Sequence, residues 1–542
     1  DGGGGSDTVR RKRERGGAEK SGDQLKKRPR AASLPTGTND CNEEDADSKI
    51  DNGDGGRREK AIFNLSDAFK SVGCHVSEKL AFRLDRNEGG VFAGEDIAKG
   101  ELLVRVPEHA TIAPVYAHRP DRVMSDSAKL NTFLASSSLT ASSPTSNSTS
   151  SSPSSSSPQP RSTMTNYERT LLRLLFERRN AESKFKTYLD SLPSRFSTPL
   201  WWSSEAKTHL KGTEIGSIVL NDQTEKRFFE TILPTLEKAK TMFGWEKDPD
   251  YEEFKWAASV ICTRGYHNGS NGPYLIPFID QFNHSSISWA TKLKCAAGVF
   301  LYIAERDIKK GEEIFTKYGD YGNAQLLHTY GFVEMSLAGE ADTERACNPF
   351  DKVSIGIMDC ISEAASVLSE TDEQIPIAMQ DLTARIGELT AAKITDNSAN
   401  GKEEKIPNSP RLIVPGALDL TLGGPSLSQT VKELLTLCFL DEEQFAEAAK
   451  LSTRDQVQAA LSSHWKEYEE GIYTVVLASI EKRIKSLQLN VKLPKKSPNC
   501  ERMVKAASFL RRLELVILRK HHDDLMNMIR ELMMRDTTLL ME

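Results

Sequence analysis

Four stretches of this 542-residue chain concentrate residue types that bind and orient small ligands. In order they are NEGGVFAGEDIAKGELLVRVP (Asn87 to Pro107, opening on Asn87, Glu88, Gly89 and Gly90), WAASVICTRGYH (Trp256 to His267, with Arg264 and Tyr266), YLIPFIDQFNHSS (Tyr274 to Ser286, with Asp280, Asn283 and His284) and GEEIFTKYGDYGNAQLLHTYGFVE (Gly311 to Glu334, with Thr316, Tyr318, Tyr330, Gly331 and Phe332). Glycines let backbone approach a ligand closely, because no Cβ stands in the way. Arginine offers a planar fork for an anion, and a tyrosine ending an apolar run carries a hydroxyl into a buried place. Each feature alone has a plain alternative: an ordinary turn, a solvent-facing arginine, an Asn-His loop cap, a buried strand-end tyrosine.

Composition removes several classes. The eight cysteines include no CxxC, so neither a zinc cluster nor a disulfide framework is expected, and no metal site is assigned. They read as reduced thiols of a nuclear or cytoplasmic protein. A net charge of −6 argues against a surface that coats nucleic acid. No run approaches the roughly 18 apolar residues of a membrane span.

Together, in this order and spacing, the four stretches resemble the SET-domain methyltransferases, in the branch of the Rubisco large-subunit lysine methyltransferase. LLRLLFERRN, YLDSLP, WWSSEA and LKGTEI between 171 and 215 are similar to that branch's helical insert, and CNPFDKVSI (347–355) resembles the entry to its C-terminal substrate-binding domain. The resemblance implies S-adenosyl-L-methionine as cofactor and a side-chain nitrogen of another protein as acceptor. In that family the glycine-rich segment takes the methionine end of the cofactor; here Glu88 replaces the first glycine of the usual GxG. Asn283 and His284 match the clamping pair, the asparagine by its amide and the histidine by its backbone, so His284 is not expected to be a general base. Asp280 stands in register with them, and Arg264 matches an arginine near the cofactor carboxylate. Tyr330, Gly331 and Phe332 match a YGF segment beside the adenine and the acceptor channel. Tyr318 matches the tyrosine beside the transferring methyl and is the catalytic candidate, with Tyr266, Thr316 and Tyr330 on the acceptor side. Asn323 has a counterpart too, but Gly322 stands where serine is common and no role is assigned.

Methyl transfer from a sulfonium asks a protein mainly to orient, desolvate and stabilise charge. Lysine is the expected acceptor. Members of the branch that modify histidine carry an amide two residues after the matching arginine, whereas Tyr266 offers an aromatic wall suited to an aliphatic stem. Histidine methylation and a catalytically silent SET-fold scaffold remain as alternatives. Specific nucleic-acid binding would need aromatic platforms near the basic tail, which has none. The expected partner is an acceptor protein, met by a monomer.

The fold that must position these residues is α+β. Residues 1–60 form a charged tail, with Arg10 to Arg15 and Lys26 to Arg30 spaced as a two-part nuclear import signal. Short apolar runs from Val91 to Ile112 and Val299 to Tyr318 predict small twisted sheets within a SET domain over 61–345. A Ser/Pro-rich insertion (134–165, densest from Ser136 to Ser162) and a helical insert (166–255) interrupt it. In the insert, Leu171 with Leu175 and Leu172 with Phe176 predict a buried stripe, with Arg169, Arg173 and Glu177 facing away. EDIAKGELL (95–103) and RDIKKGEEI (306–314) echo one another, each with a Lys-Gly hairpin turn. An all-α domain is expected over 346–542, with a flexible loop at 395–411, a capping box at Asp441 and Gln444, and Leu510, Leu513 and Ile517 at core spacing.

Overall fold

The computed structural model describes residues 44–85, 88–114, 165–269, 271–334, 348–371, 379–390, 411–488 and 498–539. The basic clusters, the Ser/Pro-rich insertion up to Met164, Asn87 and Cys347 lie outside them. Residues 1–47 and 48–542 form separate units, and apart from Glu44 to Asp47, which begin the first helix, everything below lies in the second.

Helix α1 (Glu44–Lys70) corrects the expected tail, which was drawn to residue 60. Arg58, Ala61, Leu65 and Phe69 are buried, and Arg58 donates to the Ser191 carbonyl at 3.2 Å. Asn52–Gly56 has little intrinsic helix tendency, so packing of the C-terminal half holds the helix.

Among the described residues, eight strands make the first half: β1 (His75–Val76), β2 (Leu80–Asp85), β3 (Glu88–Ala93), β4 (Leu102–Pro107), β5 (Gly265–Asn268), β6 (Asn271–Leu275), β7 (Thr291–Ala296) and β8 (Val299–Ala304). An antiparallel sheet runs β1-β4-β8-β7, and β2-β3 and β5-β6 form two-stranded sheets. Leu103, Val104 and Val106 from β4 and Phe300, Tyr302 and Ala304 from β8 are buried in one core with Leu65 and Phe69 of α1.

The two echoing segments pair with each other. Ile97 and Ile308 exchange N–H···O bonds at 2.9 Å each. Lys99 N–H donates to Asp307 Oδ1 at 2.8 Å, and Lys310 N–H to Asp96 Oδ1 at 2.9 Å. Gly100 (φ +87°) donates to the Ala304 carbonyl, and Gly311 (φ +88°) to the Ala93 carbonyl. The echo is thus a local two-fold clasp, each lysine-glycine turn closing on the strand end of the other half.

In the insert, helix α2 (Asn166–Arg179) starts at a Thr165–Glu168 capping box. Leu171, Leu172 and Leu175 are buried as expected, but so are Arg173 and Glu177, expected to face away. The helix is enclosed on more than one side, and Arg173 satisfies its guanidinium partly on the Ala113 carbonyl at 3.0 Å. Helix α3 (Tyr251–Arg264), N-capped by Asp250, ends on Arg264 and hands the chain to β5. Helix α4 (Asn323–Tyr330) ends on Gly331 at φ +82°, where a Cβ would lie 2.5 Å from the Ser197 carbonyl carbon.

The second half is mainly helical yet not all-α: β9 (Lys352–Gly356) pairs antiparallel with β10 (Ala417–Thr421). The two strands come from distant stretches, so no local pattern announced the pair. Arg411, assigned to a flexible loop, is fully buried and donates to the carbonyls of Glu388, Ala449 and Leu451. The Asp441–Gln444 capping box is present. Helices α5 (Glu469–Leu487) and α6 (Pro498–Leu539) pack together, and Ile517 is buried in the core they share. Ala506, Ala507 and Leu510 of α6 also pack against Trp202, Leu210 and Val219 of the insert. Arg511 reinforces that seam by donating to the carbonyls of His209 and Lys211 at 2.7 Å.

Candidate active site

The loop after β6 carries three of the candidate residues, Asp280, Asn283 and His284. Phe278 is fully buried with a left-handed backbone (φ +71°), a conformation costly for a residue with a Cβ. It is held by Phe69 of α1, edge to face at 5.9 Å, and by Phe82 of β2 at 6.5 Å. The bend starts the short 3-10 turn Ile279–Gln281 and sets the direction of Asp280 and Asn283.

Asp280 is buried, and its carboxylate accepts from Arg264 Nη1 at 3.2 Å, Tyr188 Oη at 2.9 Å and Gln281 Nε2 at 3.1 Å. Arg264 Nη1 also donates to the Asp280 carbonyl at 2.7 Å. Burial pushes the Asp280 carboxyl up and the adjacent guanidinium opposes it. Arg264 was expected to hold a ligand's anion; the anion it holds here is Asp280, so it stiffens the 3-10 turn.

Asn283 Nδ2 donates to the Gly89 carbonyl and to Glu313 Oε1, each at 2.8 Å, tying β3 to the loop. Gly90 lies under that junction: a Cβ there would meet Glu313 Oε1 at 2.7 Å and Asn283 Nδ2 at 3.2 Å. Gly90 is therefore required by close approach on the protein side as well, whereas a Cβ at Gly89 would meet nothing nearer than 3.5 Å. Glu88 begins β3 as that strand's first residue.

Tyr318 is fixed at both ends. Its N–H donates to His284 Nδ1 at 3.0 Å, and its hydroxyl donates to the Phe282 carbonyl at 2.9 Å. His284 is buried, and desolvation lowers its pKa while Glu334, 3.9 Å from Nε2, opposes that shift. With Nδ1 accepting, the neutral ring carries its proton on Nε2 and acts as a strut. Thr316 donates its N–H to the Asn283 carbonyl and accepts Ser285 N–H, running beside His284. Tyr330 lies 4.8 Å from Tyr318, ring centre to ring centre. Tyr266 anchors its hydroxyl on the Ile279 carbonyl at 3.2 Å.

Two cavities meet at this point. The larger, about 790 Å³, is walled by Tyr266, Thr291, Tyr302, Thr316 and Tyr321. The smaller, about 370 Å³, is walled by Gly89, Asn283, His284, Gly331, Phe332 and arginines from three segments, Arg58, Arg195 and Arg502. Thr263, Arg264, Asp280, Tyr318 and Tyr330 line both. A group held in the smaller chamber thus faces one entering the larger across Tyr318, the arrangement group transfer needs.

Residues 89–319 match the family model for the SET domain. The chain carries a SET domain. Over 268 residues it is 26% identical to the ribulose-1,5 bisphosphate carboxylase/oxygenase large subunit N-methyltransferase of Nicotiana tabacum, covering 47% of each chain. It is 29% identical over 286 residues to the N-lysine methyltransferase setd6 of Danio rerio, covering 49% of this chain and 55% of that one. An actin-histidine N-methyltransferase of Danio rerio is 30% identical over 170 residues, 30% of this chain and 28% of that one. The chain thus spans about half the length of the first two relatives. A crystal structure of the SET domain of LSMT bound to lysine and AdoHcy shares the fold at a TM-score of 0.55 and 16% identity, covering 86% of this chain and 91% of that one. Rubisco LSMT bound to AdoMet gives 0.55 at 17%, covering 87% and 93%.

Within the SET domain the structure brings together Gly89, Gly90, Arg264, Tyr266, Asp280, Asn283, His284, Thr316, Tyr318, Tyr330, Gly331 and Phe332; Asn87 lies outside the described residues. Sequence reasoning missed Glu313, Tyr188 and the Phe282 carbonyl, on which Asn283, Asp280 and Tyr318 depend. The paired glutamates of GEE signalled the first; nothing local signalled the others. Asn323, left without a role, binds Asp351 with its N–H (2.6 Å) and Nδ2 (2.9 Å) and accepts Glu334 N–H at 2.6 Å, joining the SET domain to the second half.

Proposed function

We propose that this protein is an S-adenosylmethionine-dependent protein-lysine N-methyltransferase. The observation that carries the reading is the meeting of two chambers across a doubly anchored Tyr318. The smaller chamber suits the cofactor: Gly89 and Gly331 bring backbone to its wall, and the anchored Asn283 and His284 line it with Phe332. Bound there, S-adenosylmethionine would supply a methyl activated by its sulfonium.

Tyr318 spends its hydroxyl proton on Phe282, so the oxygen's lone pairs are what it can offer to the chambers. It can accept an N–H from an incoming amine or a weak C–H contact from a polarised methyl. Burial pushes the phenol up to about 12, so it stays neutral and is not the group that takes the amine's proton. Tyr266, also pushed up by burial, offers an uncharged wall along an alkyl stem. A desolvated chamber disfavours the ammonium form of lysine and so helps its deprotonation. Exposed Lys292 and Trp289 mark the solvent end of the larger chamber.

The second half serves this reading as the acceptor-docking domain, and the basic clusters of the tail serve it as a nuclear import signal. Calorimetry should detect binding of S-adenosylmethionine. Labelled cofactor should then mark protein in a nuclear extract at methyl-lysine, and Tyr318→Phe should lower transfer about a hundredfold or more while binding persists. Unaltered turnover in Tyr318→Phe removes Tyr318 from the mechanism. Methyl-histidine as the product replaces the acceptor, and cofactor binding without transfer to any protein leaves a silent scaffold.

A further inference from the structure

A third cavity, about 590 Å³, opens in the helical insert and is not used by the chemistry above. Its walls are mainly apolar: Pro199, Leu200, Val219, Ile232, Phe254 and Ala258. Ile218, 56% exposed, stands at its edge, and Lys207, Asp222 and Arg227 lie around it. Tyr167, Cys262 and Thr329 line both this cavity and the acceptor chamber, so the two are neighbours sharing a wall. Its size and lining are those of a pocket for an organic group, with a few polar atoms at the margin.

We infer that this cavity is a specificity subsite that receives one large apolar side chain of the acceptor polypeptide, at a fixed spacing from the methylated lysine. The inference rests on the proposed lysine methylation. A chain that delivers a lysine to Tyr318 through the larger chamber runs past the shared wall of Tyr167, Cys262 and Thr329. An apolar residue placed there leaves water for Val219, Ile232 and Phe254, while a charged one would meet opposite charge only at the margin and be desolvated in the depth. The margin carries both signs of charge, so selection comes from the cavity's depth and not from a net field.

The test uses the full chain and short peptides, each with one lysine in a Gly/Ser background and one leucine moved stepwise along both flanks. One leucine position should lower KM about tenfold or more relative to the same peptide with aspartate there, with kcat little changed, as burial of one such side chain implies. Ile218→Glu changes an exposed edge residue, and Ala258→Leu narrows the cavity from within. Both should erase the leucine preference while cofactor affinity, measured by calorimetry, stays at the wild-type value. The same KM at every leucine position overturns the subsite while leaving lysine methylation standing. Retained preference in both variants also overturns it. A lower melting temperature with unchanged KM shows that the cavity is filled by this chain's own residues, which likewise overturns it. Bound cofactor with no transfer to any peptide or protein instead defeats the methyltransferase reading, and the subsite falls with it.

Discussion

Replacing Asn283 by aspartate changes one nitrogen to oxygen with almost no change of shape, and it reverses the electrostatics of the junction beneath the smaller chamber. The amide now donates at 2.8 Å to the Gly89 carbonyl and at 2.8 Å to Glu313 Oε1. The first bond is worth about 1 kcal/mol and the second, to a charged acceptor, about 2 kcal/mol. Both become oxygen–oxygen contacts in Asn283→Asp. Two carboxylates at that distance repel by about 6 kcal/mol at an effective dielectric of about 20. Sharing one proton costs less: near pH 7, about 4 kcal/mol, from about 1.4 kcal/mol for each pH unit above the ordinary carboxylate range near 4. The proton-shared form restores one hydrogen bond across the pair. Cofactor affinity at pH 7.5 should therefore fall by two orders of magnitude or more, and recover up to about tenfold per unit as pH is lowered toward about 5. Asn283→Ala, which removes the donor without adding charge, should lose affinity by a similar amount at pH 7.5 with no such recovery. Calorimetric titration of S-adenosylmethionine from pH 5.5 to 8 measures both variants. Wild-type affinity in Asn283→Asp, or a loss equal at every pH, would show that this junction does not shape the cofactor chamber.

Three further expectations follow from other parts of the molecule. Glu514 is buried in the seam between α6 and the insert, accepting Glu214 N–H at 2.8 Å, and burial raises its pKa to about 8 from 4.5. Between those values the folded chain holds a proton the unfolded chain has released, so its contribution to stability is lost as pH rises from about 4.5 through 8. Glu514→Gln should flatten that part of the denaturation profile, and superimposable profiles would refute the assignment. Tyr266→Asn removes apolar wall worth on the order of 1 to 3 kcal/mol and leaves the Ile279 carbonyl without its hydroxyl partner; lysine kcat/KM should drop about tenfold to a hundredfold, with Tyr266→Phe far milder. Equal activity in the two variants would remove Tyr266 as the acceptor wall. Lys26, Lys27 and Arg28 changed to alanine should shift a fluorescent fusion toward the cytoplasm, and undiminished nuclear signal would leave the tail without that role.

Much of the site was legible because its residues sit in four runs whose local chemistry is unusual. Glycines, an asparagine-histidine pair and a strand-end tyrosine are few enough to single out, and the fold brings them together. What holds them was less legible, because it depends on contacts distant in sequence. Glu313 reaches Asn283 from 30 residues away and Tyr188 reaches Asp280 from 92. Phe278 gives no sign of its left-handed backbone, which needs Phe69 and Phe82 to hold it. The same applies to the part of α1 before residue 61, read as tail from its glycines and charges when the burial of Arg58, Leu65 and Phe69 decides the helix's state. Arg173 shows the converse: helical periodicity placed it outside, but no spacing rule can tell that a second wall covers that face.

The clasp between the two lysine-glycine turns also governs when the molecule can fold. Lys99 must find Asp307, 208 residues downstream, and each half contributes the strand end that the other turn closes upon. On a ribosome adding roughly 5 to 20 residues per second, the first half waits tens of seconds for its counterpart to be synthesised. Until then β4, with Leu103, Val104 and Val106, lacks β8 as its neighbour and presents an unpaired edge. The interval scales with the length of chain between the turns, so every residue inserted there lengthens the time for which a nascent chain needs a chaperone, even where it costs the finished fold little.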